Sequence, residues 1–186
     1  MQRIFQTSLT PPQYAAQEYH LQVPAPENCP NCGQAHTLEG LAYYDRYITW
    51  LKVAFLIWVR RFWCRHCHVS VSCLPSFAQP YRAVNTETIS AGFNGQTQKP
   101  EVPHWGTAIE AYWRRFQTHL PALVQRVGNA FGPLPVPPTG QQFWAQLLAQ
   151  CGDLARATRE LIHRFHTCLF GTYRCHQPRP VQAGGG

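Results

Sequence analysis

Two pairs of cysteines carry the clearest chemistry in this chain. Cys29-Pro-Asn-Cys32-Gly and Cys64-Arg-His-Cys67-His each hold two thiols with two residues between them, and residues 33–63 separate the pairs. That spacing lets a tight turn aim both sulfurs at one ion while backbone N–H groups support the thiolates. Two such turns close a tetrahedral shell of four sulfurs, a donor set that suits zinc in a structural role. One structural Zn2+ on Cys29, Cys32, Cys64 and Cys67 is therefore expected. A catalytic zinc keeps an open position and binds through His or carboxylate. His36, His66 and His68 lie close by, but four cysteines already fill the shell. Farther along, His163, His166, Cys168, Cys175 and His176 can be drawn as a second metal site. The competing reading gives solvent-facing histidines and buried thiols.

The second signal is basic. The 186 residues include 16 Lys and Arg against 9 Asp and Glu, a formal net charge of +7. All the basic residues except Lys52 and Lys99 are Arg, the side chain of bidentate phosphate and guanine contacts. Between Arg46 and Thr86 stand Arg46, Lys52, Arg60, Arg61, Arg65 and Arg82, with no acidic residue among them. Tyr47, Trp50, Trp58, Phe62, Trp63 and Tyr81 interleave them. Such a surface neutralises phosphates and stacks on sugars or bases. The plainer reading makes the aromatics a small core. Arg114 and Arg115, on the polar side of a helix, complete the candidate nucleic-acid contacts. Carboxylates are scarce, with Asp only at 45 and 153. Two-metal strand transfer needs about three converging carboxylates, and Asp45, Asp153 and Glu160 do not form such a set. The expectation is a protein that is not an enzyme.

These residues need elements to position them. Residues 1–26, with Pro11, Pro12, Pro24 and Pro26, read as an extended arm. Residues 27–79 hold β-branched and aromatic runs such as Val53 to Phe62 and read as a zinc ribbon. Residues 80–131 read as a helix-turn-helix-like segment. In it, Asn85 or Thr86 caps a short helix through Phe93, and a longer helix spans Thr107–Leu120 with Ile109, Trp113, Phe116 and Leu120 on one face. Pro121 kinks that helix or opens another. Residues 132–140 form a Pro-rich linker, 141–177 two more helices, and 178–186 a disordered tail. In the last helix Asp153 caps the start and Gly171 marks the end. The fold class expected is α+β: an N-terminal four-cysteine zinc ribbon of short antiparallel strands, followed by an all-helical C-terminal half. The start lacks the apolar run of a signal peptide, and Ile48–Val59, broken by Lys52, is too short to span a bilayer. A cytoplasmic chain with reduced thiols and no membrane partner is expected.

Three stretches together resemble a known family. They are Cys29-Pro-Asn-Cys32-Gly, then Val59-Arg60-Arg61-Phe-Trp-Cys64-Arg-His-Cys67-His, then Cys73-Leu74-Pro75-Ser76-Phe77-Ala-Gln-Pro80-Tyr81-Arg82. The pattern is similar to a bacterial family of small zinc-ribbon proteins associated with insertion sequences and transposase genes. The helix carrying Tyr112-Trp113-Arg114-Arg115-Phe116 resembles one that follows in such proteins. The likeness covers about residues 27–120 and implies DNA binding in the context of transposition, without a known reaction. Duplex DNA is the expected partner, with a transposase or a second copy engaged through residues 141–170. A zinc-stabilised protein–protein adaptor is the alternative, and a compact transposase or nuclease the third reading. The chain departs from the family at His68, where ribbons carry Gly, and in lacking an evident hairpin turn between Tyr43 and Phe55.

Overall fold

The computed structural model describes residues 1–133, 135 and 137–172. Cys175, His176 and the 178–186 tail lie outside the described residues. The molecule is α+β, but it is not an N-terminal ribbon followed by an all-helical half. Strands β1 (Gln2–Phe5), β2 (Leu38–Trp50), β3 (Val53–Cys64) and β4 (Ser70–Pro75) form a mixed sheet in the order β1-β4-β3-β2. The β2 and β3 strands, of 13 and 12 residues, are far longer than ribbon strands need to be. Strand β1 pairs in parallel with β4, Ile4 beside Leu74, and so closes the edge next to β4. The residues expected to form an extended arm therefore supply a sheet strand. They also supply helix α1 (Pro11–Ala16), which starts on a capping box between Thr10 and Gln13, and a 3-10 turn (Tyr19–Leu21).

The β2–β3 hairpin turns at Leu51 and Lys52, with Leu51 at φ +54°. A left-handed Leu is unfavourable by about 1–2 kcal/mol, and the turn carries none of the Gly or Asn that announces one in sequence. Its carbonyl is held from elsewhere, since Trp105 Nε1 donates to Leu51 O at 2.6 Å.

The helices follow: α2 (Thr86–Phe93), α3 (Glu101–His104), α4 (Gly106–Val127), α5 (Gly140–Cys151) and α6 (Leu154–Phe165), then a small hairpin of β5 (Thr167–Cys168) and β6 (Gly171–Thr172). Three of the starts carry a side-chain cap, whereas α3 and α4 begin without one. Asn85 accepts from Thr88 N, Thr139 from Gln142 N and Asp153 from Arg156 N. Pro121 sits inside one continuous α4 rather than ending it. Helix α6 stops at His166, in the left-handed conformation, well before Gly171.

Two large cores result. Phe116, Leu120 and Leu123 of α4 pack with Phe143 and Leu147 of α5 and Leu154 and Leu161 of α6. Ile4, Ile48, Ile57, Val59 and Leu74 of the sheet pack with Tyr14 of α1 and Ile162 of α6. Helix α6 thus belongs to both, and buried polar contacts tighten the junction. Thr158 Oγ1 donates to Gln79 Oε1 at 2.9 Å, and Gln79 Nε2 donates to Thr86 Oγ1 at 3.1 Å.

One contact ties β1 to α6 through an ionisable group. Ile4 N–H donates to His163 Nε2 at 3.2 Å, which requires that nitrogen to be unprotonated. Burial lowers the His163 pKa to about 4, assisted by Arg3, Arg159 and His166. The unfolded value is about 6.5, so the folded value is the depressed one. The contribution to stability is fully present above about pH 6.5 and is lost as pH falls through about 4. His163 is partly exposed, which reduces the effect to on the order of 1–2 kcal/mol. Thermal melts should fall between pH 7 and pH 4 by less in His163→Gln than in the parent. Equal falls would contradict this role.

Candidate metal centre and basic cleft

The sheet brings the four cysteines together by register. Leu38, the first residue of β2, pairs with Cys64, the last of β3, so the chain before β2 lies beside the turn after β3. A bond from Arg65 N to Thr37 O at 2.9 Å fastens the two. Both turns are built alike. Gly33 N donates to Cys29 O at 2.8 Å, and His68 N donates to Cys64 O at 2.9 Å. Cys29 N donates to Gln34 O and Cys64 N to Val69 O, each at 3.0 Å.

The sulfurs of Cys29, Cys32, Cys64 and Cys67 all lie within 4.8 Å of one another. Cys29 Sγ is 3.6 Å from Cys67 Sγ, and Cys32 Sγ is 3.8 Å from Cys64 Sγ. Four sulfurs at about 2.3 Å from a tetrahedral ion are about 3.8 Å apart, so the quartet fits such an ion. These separations are far beyond a disulfide bond, and the cysteines are free thiols. Burial pushes the thiols of Cys29, Cys32 and Cys67 up. Burial also acts on Cys64, but hydrogen bonds from the Thr37 hydroxyl and from the N–H groups of Cys67 and His66 outweigh it and bring Cys64 down to about 6. Thr37 Oγ1 stands 3.2 Å from Cys64 Sγ.

The departure at His68 has a structural counterpart. Gly33 follows Cys32 at φ +74°, and His68 follows Cys67 at φ +57°. The same left-handed position is thus filled by Gly in one turn and by a residue with a Cβ in the other. His68→Gly should stabilise the protein by about 0.5–1 kcal/mol. His68→Val, β-branched, should destabilise it. Urea unfolding of the two variants measures both, and a destabilised His68→Gly would count against the comparison.

Among the described residues, the cysteine quartet is the one group of His, Cys or carboxylate side chains close enough to share an ion. His163 is occupied by Ile4 N–H, and Cys168 Sγ donates to Gly171 O at 3.1 Å. Cys73 is a core thiol, packed with Val23 and Phe62 and raised by burial to about 12.

The eight basic candidates divide by environment. Arg60 Nη1 donates to Leu21 O at 2.7 Å and Val23 O at 3.0 Å, and its guanidinium lies over the Tyr43 and Phe62 rings. Arg46 Nη2 donates to Gln79 O at 3.2 Å and to Arg82 O. Arg82 donates to Tyr81 O and Phe170 O and lies over Tyr112 and Phe170. Arg65 pairs with Glu39 at 3.2 Å. Lys52, at the hairpin tip, and Arg114 and Arg115, on α4, are exposed. The acid-free stretch is therefore not one uniform cationic face: Arg46, Arg60 and Arg82 hold backbone carbonyls in place. No local pattern distinguishes such an arginine from a solvated one.

Three of the eight nevertheless meet. Arg46, Arg61 and Arg82 line a cleft of about 550 Å³, together with Tyr44, Tyr47 and Tyr81. No acidic residue is among the described residues lining it. Gln2 pairs with Ser72, and Ser72 with Arg61, so the cleft floor runs across β1, β4 and β3. Sequence reasoning names Tyr47 and Tyr81 as interleaved aromatics but has no means of placing them opposite β4.

No protein-family model, curated protein or solved structure matches this chain. Among the described residues no helix is long and apolar enough to cross a membrane.

Proposed function

We propose that this chain is a zinc-stabilised nucleic-acid-binding protein that catalyses no reaction on its partner. The observation that carries the reading is the acid-free cleft on which Arg46, Arg61 and Arg82 converge. A concave surface with one sign of charge focuses the field and attracts a polyanion. Zinc is the ion assigned to the cysteine quartet, because four thiolates at tetrahedral spacing select it over the hard cations. The partner assigned is DNA. A role in transposition, alongside a transposase or a second copy bound through residues 141–170, rests on the motif pattern alone.

The test is fluorescence anisotropy with labelled DNA across a salt series. Affinity should fall as salt rises, because each neutralised phosphate adds about 0.9 to the slope for duplex DNA. Arg114→Ala/Arg115→Ala should flatten that slope by up to about two units, since both side chains are exposed and hold no carbonyl. Salt-independent binding, or none, would overturn the proposal.

One observation favours the adaptor reading instead. Tyr43, Leu56 and Trp58 are 41%, 42% and 44% exposed. The pairings Tyr43 with Arg60 and Asp45 with Trp58 put them on one face of the hairpin. An exposed apolar face marks an interaction site, and salt-independent capture of a protein by that face is what the adaptor reading requires.

A further inference from the structure

We infer that a second copy of this chain docks on the uncovered face of the β2–β3 hairpin, sheet against sheet, to form a symmetric dimer. This docking uses neither the basic cleft nor α4, so it stands apart from the nucleic-acid reading.

The strand pattern is the first reason. Val53 to Val59 is apolar at every position. A strand solvated on one face alternates apolar with polar residues, whereas an unbroken apolar run belongs to a strand covered on both faces. One face of the hairpin is covered, with Ile48 and Ile57 fully buried in the core they share with Ile162 of α6. The other face carries Tyr43, Asp45 and Tyr47 of β2 opposite Arg60, Trp58 and Leu56 of β3. Toward the cysteines this second face is covered too, Phe62 packing with Val23. The cover ends at the His20 ring, whose centroid is 5.2 Å from that of Tyr43 and 6.3 Å from that of Trp58. Beyond it Tyr47, Leu56 and Trp58 stand exposed.

The area is the second. Tyr43, Tyr47, Leu56 and Trp58 are between 41% and 62% exposed. With about 150–250 Å² on each aromatic side chain, the four present roughly 400 Å² of apolar surface. Each side of a standard homodimer interface contributes about 800 Å², of which about 500 Å² is apolar. Ala54, exposed opposite Thr49, extends the patch on the same face. A second hairpin of the same shape therefore covers what the first leaves open.

The charge is the third. The chain carries a formal net charge of +7, so two copies repel, and contact favours a face without net charge. On this face Asp45 and Arg60 balance each other. A twofold axis along the strands lays β2 of one copy over β3 of the other. Tyr47 then meets Leu56, Tyr43 meets Arg60, and Asp45 meets the strand that carries Arg60. The two Asp45 carboxylates stay apart. Strand β2 is also an edge of the sheet, but pairing two β2 edges about Asp45 would set those carboxylates directly opposite each other, which is unfavourable.

The experiment is sedimentation equilibrium of the full chain, freed of nucleic acid. At about 100 μM it should give twice the chain mass, at low and high salt alike, because apolar burial is not screened. Leu56→Glu and Tyr47→Glu should each raise the dissociation constant at least about thirtyfold, the scale of one hot-spot residue. Both side chains are exposed in the single chain, so the fold survives these changes, and circular dichroism checks this. Asp45→Asn should weaken the dimer by up to about fivefold at low salt, whereas edge-to-edge pairing requires it to tighten. A monomer at about 100 μM, a dimer indifferent to both glutamates, or a dimer tightened by Asp45→Asn would overturn the inference. A monomer that captures a different protein on this face would overturn it in favour of the adaptor reading.

Discussion

Cys64→Ser is expected to abolish metal binding and to unfold the end of the sheet that carries the four cysteines while leaving the helices folded. Cys64 is the last residue of β3, and its thiol is the one held low, by Thr37 and by two backbone N–H groups. Apart from Cys29, residues 24–37 contribute no buried side chain to a core. Hydrogen bonds such as Arg65 N to Thr37 O remain, but each contributes only about 1 kcal/mol. A structural zinc contributes on the order of 10 kcal/mol. The loss should therefore be local and near complete: residues 24–37 and 64–69 should exchange their amide hydrogens freely. The core of Phe116, Phe143, Leu147 and Leu161 contains none of the four cysteines and should stay protected. Substitution at Cys29, Cys32 or Cys67 should act in the same way. Cys73→Ser should retain the metal, because its thiol packs between Val23 and Phe62. Hydrogen exchange by mass spectrometry reads all five variants.

Arg46→Ala is expected to destabilise the fold by about 2–3 kcal/mol, whereas Lys52→Ala should change it by less than about 0.5 kcal/mol. Both residues come from the same basic stretch. Arg46 is a clamp: its guanidinium satisfies the carbonyls of Gln79 and Arg82 and so ties β2 to the segment before α2. Removing it leaves both acceptors without that charged donor. Burial lowers its pKa. Lys52 is exposed at the hairpin tip. Chemical denaturation of the two variants separates them. A loss of nucleic-acid affinity in Arg46→Ala must accordingly be read against its stability, whereas Arg114→Ala and Arg115→Ala carry no such burden.

What can be read from the sequence is local. The cysteine quartet is legible because two thiols on a tight turn have a chemistry that depends on neighbouring residues only. The same holds for Asn85 and Asp153, each of which caps the helix after it through a bond to a residue three positions on. What escapes is long-range. Nothing in Gln2–Phe5 announces a parallel partner at Ser72–Pro75, since the pairing depends on a sheet edge made elsewhere. The hairpin tip escapes because Leu51 occupies the position usually marked by Gly, with Trp105 holding its carbonyl. The end of α6 escapes because His166 takes the role expected of Gly171. The ribbon expectation fails for a related reason. It takes strands only long enough to present two knuckles, whereas Ile48, Ile57 and Val59 extend the sheet into a core shared with α1 and α6. For the basic residues, composition states the charge but not its use. Whether an arginine faces solvent or a carbonyl depends on where residues such as Leu21, Gln79 and Phe170 come to lie.

The central claim is a single ion held by Cys29, Cys32, Cys64 and Cys67, and X-ray absorption at the zinc edge of the purified protein tests it most directly. The account predicts one zinc per chain with a shell of four sulfurs at about 2.3 Å and no nitrogen or oxygen ligand. A chain without stoichiometric metal, or a shell containing nitrogen or oxygen in place of sulfur, would contradict it.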